Sequence, residues 1–209
     1  EFTGDGGLTQ NGNGQFVNEG TIRKSSGTGT SLWSGDLDNQ GGTLAATSGT
    51  LRLDTSSVWT EGGTLHATTG AAIVLAGYSQ SCCSTFRLAG RFTGSGAGTV
   101  TLGAATTMNA WDNSGATLDF PTGYFRLDGG TLSGTGSTGI TNTGAIEISS
   151  SSQLAGRITN SGTVLVSGTG QALFTGSFDN RGLWEFTGDG GLTQNGNGQF
   201  VNEGTIRKS

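Results

Sequence analysis

The sequence predicts an all-β chain wound as a right-handed parallel β-helix of about nine to ten coils, roughly 20 residues each. Three observations carry this. The composition starves helices, the apolar residues alternate with period two, and a short Asn-x-Gly pattern recurs at coil-like spacing.

Composition comes first. Of 209 residues, 41 are Gly and one is Pro, and only 12% are charged. Gly, Ser, Thr and Asn favour turns and strands over helix interiors. Gly has no three-residue period, which excludes collagen. No run of about 18 apolar residues occurs, so membrane insertion is not expected. The opening residues Glu1-Phe2-Thr3-Gly4-Asp5 lack a basic and then an apolar segment, so no signal peptide is expected there. The net charge of −5 argues against nucleic acid as a partner, since phosphate contacts need basic patches. Low charge also argues against disorder, which pairs low hydrophobicity with high net charge.

The strands are read from alternation. Leu51 and Leu53, Ile73 and Leu75, Val100 and Leu102, Ile146 and Ile148, and Val164 and Val166 each place two apolar side chains on one face.

The corners are read from repetition. Asn18-Glu19-Gly20, Asn39-Gln40-Gly41, Asn113-Ser114-Gly115, Asn142-Thr143-Gly144, Asn160-Ser161-Gly162, Asn180-Arg181-Gly182 and Asn202-Glu203-Gly204 each end one strand and open the next. Well-matched neighbours are 18 to 22 residues apart. Three short strands and three turns consume about 20 residues. Each Asn is expected to point inward and bond its counterparts as a ladder, with the following Gly in a strained backbone conformation.

A longer period encloses the short one. Residues 185–209 repeat residues 1–25 letter for letter, at an offset of 184 residues. The expected organisation is one continuous solenoid over 1–209, with 1–184 a full tandem unit and 185–209 the start of an identical one. The two copies should share one local structure, displaced about 40 Å along the rod at about 4.8 Å per coil, with a modest rotation.

The pattern Asn-x-Gly-Thr-apolar-x-apolar, with Gly/Ser/Thr-rich corners, resembles the β-helical repeat regions of large bacterial surface and secreted proteins. These are the autotransporter passengers and filamentous-haemagglutinin-like adhesins. The resemblance spans the chain and is architectural. It implies secretion to the cell surface, a rod shape, and a role in adhesion or an extracellular layer. It carries over no catalytic residue.

Chemistry is sparse. His66 is the only histidine, so neither a triad nor a histidine metal site is expected. Asp36 and Asp38 share a strand face, and Asp119 with Asp128 would be the other acid pair if their coils stacked. Neither is expected to act as the carboxylate pair of a polysaccharide-active enzyme. No cofactor and no metal is expected. Thr3-Gly4-Asp5-Gly6-Gly7-Leu8 is like a calcium-binding Gly/Asp repeat but occurs once per unit. Trp33, Trp59, Trp111 and Trp184 are expected to fill corners or cap the core. Cys82 and Cys83 sit in a polar insertion read as a protruding loop, and are expected to form a disulfide within the pair or with a neighbouring chain.

The expected function is therefore structural: one unit of an extracellular tandem-repeat rod or fibre, with further copies end to end and possible lateral association. The alternative is an adhesin module whose outer loops bind glycans. An enzyme is a distant third.

Overall fold

A computed structural model describes residues 1–10, 14–54, 57–76 and 84–209. Among them there is no helix. Short strands pair in parallel, coil upon coil, in a β-solenoid of about nine coils spaced about 22 residues apart.

The cross-section has three faces, met in fixed order along the chain. The first face stacks ten strands, from Leu8–Thr9 through Thr30–Ser34 and Thr50–Asp54 to Leu183–Phe186 and Thr205–Lys208. The second face runs from Phe16–Asn18 and Leu37–Asn39 up to Gln171–Phe174 and Gly191–Gln194. The third runs from Thr21–Lys24 and Thr43–Ala46 up to Ser177–Asn180 and Gln199–Asn202. Strand Ser152–Asn160 spans the second and third faces without a break.

Alternation decides what fills the interior. In Thr50–Asp54 the burial runs half-buried, buried, half-buried, buried, half-buried, so Leu51 and Leu53 point in. Ile73 and Leu75 stack on them, and Val100 and Leu102 stack on those. Like residues meeting every coil keep the core one side chain thick, so each coil is stabilised chiefly by its two neighbours. Aromatic clusters fill the wider places. Trp59 packs against Phe86 and Phe92, each at 5.7 Å between ring centres. Phe178 stacks on Phe200 at 5.2 Å, with Trp184 edge-on to both.

The Asn corners form ladders, but two of them, at different corners. Asn18 Nδ2 donates to Asn39 Oδ1 at 2.6 Å where the second face turns into the third. Asn142, Asn160, Asn180 and Asn202 form a second ladder where the third face turns into the first. Each amide there donates to the next carbonyl oxygen at 2.7 Å. Between the ladders apolar residues take over: Trp59 and Leu88 at the one corner, Phe92 and Leu118 at the other. Leu118 lies beneath Asn142, which leaves Asn142 Oδ1 buried and unpaired among the described residues. Asn113 departs from the expectation. It sits at a corner, but its side chain is exposed and accepts from Ser137 instead of joining a ladder.

The corner glycines also differ from expectation. Gly41 has φ 68°, a left-handed conformation. Gly144, Gly162, Gly182 and Gly204 have none; there a Cβ would collide with the backbone of the coil beneath, Phe120, Gly144, Gly162 and Gly182 respectively. At that corner the need is close approach between coils, not an unusual dihedral.

Candidate functional site

The outer surface is mostly Thr, Ser and paired charges. One concavity stands out, where the first face turns into the second in the N-terminal half. It has a volume of about 500 Å³ and is lined by Gln15, Asp36, Leu37, Ser57, Val58, Thr85 and Arg87. Strand pairing puts Asp38, Val58 and Arg87 in one outward column, a coil apart. The Arg87 guanidinium lies 5.3 Å from the ring centre of Trp111, which is 47% exposed. Ser57 is 2% exposed, and its hydroxyl has no partner among the described residues. Asp38 Oδ2 accepts from Gln40 Nε2 at 2.8 Å, while its Oδ1 is unpaired among the described residues. A guanidinium and the Asp36 carboxylate in a shallow trough, with the exposed Trp111 indole held next to Arg87 outside its lining, suit a polyhydroxylated ligand that offers hydroxyls to the polar groups.

Most carboxylates elsewhere are tied to basic residues, the majority of those pairs a coil apart. Arg126 meets Glu147 at 3.0 Å, Arg52 meets Asp54 at 2.6 Å, and Arg91 pairs with Asp119. Asp119 lies on the third face and Asp128 on the first, so the two do not form a pair. His66 points outward, with Nδ1 2.8 Å from Ser95 Oγ. Asp5, the acid of the Gly/Asp element, accepts from Lys24 Nζ at 2.8 Å and from the Gly29 N–H at 3.1 Å. That ammonium occupies the side of the carboxylate a cation would use. No group of three or more metal-ligating side chains occurs among the described residues. Cys82 and Cys83 lie outside the described residues.

Two interior polar residues carry structure the sequence reading missed. Lys24 is fully buried, and its ammonium is bonded to Gly4 O, Ser26 O, Asp5 and Ser31. Parity with Ile22 was the available signal, since a strand residue two places on faces the same way. Tyr124 is 2% exposed. Its hydroxyl accepts from the Ala67 N–H at 2.7 Å and lies 2.7 and 2.8 Å from the carbonyls of Leu65 and Ser95. No local pattern marks it.

Comparison with protein-family models, curated proteins and solved structures finds no match to this chain.

Proposed function

We propose that this chain is a structural unit of an extracellular tandem-repeat rod, set end to end with further copies of itself, and that its role is mechanical rather than catalytic. The observation carrying this reading is that the identical 25-residue segments build the same contacts at both ends of the solenoid. Arg23 pairs with Glu1 at 2.9 Å, and Arg207 with Glu185 at 2.8 Å. Lys24 reaches Gly4 O and Asp5; Lys208 reaches Gly188 O and Asp189. A segment that takes one structure wherever it falls along the solenoid is what an open-ended array requires. The resemblance to surface-exposed β-helical regions supports the extracellular placement, as does an exterior rich in Thr and Ser. The vicinal cysteines then belong to an oxidising compartment. Electron microscopy of chains with one, two and three units tests the mechanical reading. Rods should lengthen by about 40 Å per unit at about 4.8 Å per coil; particles of constant length, or units folded back side by side, would overturn it. Counting free thiols in denatured, unreduced native protein tests the compartment: none are expected, and two would contradict it.

A second reading rests on the trough beside Arg87 and Trp111: an adhesive module taking glycans there. Glycan-array binding that disappears in Trp111→Ala would support it, and binding unchanged in that variant would remove the trough from consideration.

A further inference from the structure

The two identical segments have the same structure but not the same faces. Leu8–Thr9, Phe16–Asn18 and Thr21–Lys24 lie on the first, second and third faces. Their copies Gly191–Gln194, Gln199–Asn202 and Thr205–Lys208 lie on the second, third and first. Because Ser152–Asn160 fills two faces at once, the copies are twenty-five strand positions apart, which is eight coils and one further face. The 184-residue repeat is therefore not a whole number of coils.

We propose that the C-terminal edge of the solenoid docks the next copy of this chain turned by one face, a third of a revolution, about the rod axis. The inference rests on the tandem-rod reading and specifies its geometry. Successive units then present the Arg87–Trp111 trough, and every other outward feature, on three sides in rotation. The same side returns only after three units, about 120 Å along the rod at about 4.8 Å per coil.

The two Asn ladders follow directly. Asn202 is the copy of Asn18, and Asn18 donates upward to Asn39. In the array the rungs join as Asn142, Asn160, Asn180, Asn202 and the next unit's Asn39, one ladder of five. The chain shows the first four rungs of that ladder at one corner and the last two of an equivalent ladder one corner back. Each unit's ladder thus stands one corner beyond that of the unit before.

Exposure at the two edges identifies what covers them. Ile22 is 6% exposed beneath the coil above it, while its copy Ile206, with no coil above, is 44% exposed. At the other edge Phe16 and Val17 are exposed, whereas their copies Phe200 and Val201, seated on a coil, are half-buried. The C-terminal edge therefore lacks what the segment Thr30–Ala46 supplies to the first copy. The occupant that fits is that segment in a second copy.

The test is a structure, by cryo-electron microscopy or crystallography, of this chain lengthened by one unit, residues 1–184 followed by 1–209. The expected relation between units is a rise of about 40 Å with a rotation of a third of a revolution, adjusted by coil twist. A rise without that rotation would overturn the one-face offset and leave the rod reading standing. Units that do not share an axis would overturn the rod reading itself. A second route needs less resolution. A small folded tag inserted after Ser114, in an exposed corner, in each unit of a three-unit chain should appear on three sides of the rod. Tags in a single row along one side would contradict the proposal.

Discussion

Asn160 shows what one side chain does in this fold. It is fully buried, accepts from Asn142, and donates to Asn180 Oδ1 at 2.7 Å and to Leu183 O at 3.1 Å. Removing the amide strands partners on both adjacent coils in a place water does not reach. Asn160→Ala should cost about 2–3 kcal/mol. Asn109, outward and bonded only to Thr135 among the described residues, should lose far less on the same change. Thermal unfolding of the two variants checks this; equal losses would contradict the ladder's role. Tyr124 is the other keystone. Burial pushes its phenol above the usual tyrosine range, and the Ala67 N–H pulls it partly back. Tyr124→Phe should cost about 1–3 kcal/mol by leaving the Ala67 N–H and nearby carbonyls unpaired. The sign on the alkaline side follows from linkage. A raised folded pKa means the fold holds the proton longer than the unfolded chain, so stability falls as pH rises past about 10. That fall should be shallower in Tyr124→Phe when urea denaturation is followed from pH 8 to 11. Nothing around Tyr124 in the sequence announces any of this, because its partners lie 29 to 59 residues away.

Strands and corners were legible in proportion to how local their causes are. Period-two alternation located Thr50–Asp54, Ala72–Ala76 and Thr163–Val166 because each strand buries one of its own faces. The corner glycines were visible as a motif, but the reason for them was not. At Gly162 the constraint is the Gly144 carbonyl of the coil beneath, which a Cβ would strike. Gly162→Ala should therefore destabilise by about 1–3 kcal/mol, and the same change at Gly6, where a Cβ meets nothing, should be neutral; chemical denaturation of both distinguishes them. Coil-to-coil ion pairs add a pH dependence. Hydrogen bonds from Ser25 and Arg23 hold Glu1 below the usual carboxylate range, Lys24 does so for Asp5, and Arg207 for Glu185. A lowered folded pKa gives stability that is present above the unfolded value, near 4, and lost as pH falls through the folded one. The melting temperature should be flat from about pH 7 to 5 and decline below about 4. Glu185→Gln should soften that decline; an identical acid profile would show the pair contributes nothing.

For the whole molecule, stacking in one dimension has two consequences. Each coil rests on its neighbours, so an added unit extends the core without enlarging its cross-section. Apart from Trp111, the large apolar residues that lie bare among the described residues are at the open edges: Leu8, Phe16 and Val17 at one end and Ile206 at the other. These rows of unpaired backbone groups and apolar side chains make the chain self-complementary end to end. In concentrated solution the chain should form linear oligomers, visible by light scattering. Ile206→Lys should suppress them, because a charge would then lie under the incoming coil; oligomers unaffected by this change would place the contact elsewhere.

By itself the sequence determined the class of fold, the length of a coil, most of the inward-facing residues, and the repeat of 184 residues. Each of these is a periodicity, and a periodicity is a property of order along the chain. The tertiary structure decided which corner each motif occupies. It set Asn18 and Asn202, which stand in identical sequence, on different corners, left Asn113 outside both ladders, and buried Lys24 under a cap of carbonyl, carboxylate and hydroxyl oxygens. The physical reason is that position around the rod is a running total. Every loop length and every strand that takes two faces, as Ser152–Asn160 does, changes it for all residues that follow. Local pattern states how a segment folds, and only the accumulated path states where on the rod it stands.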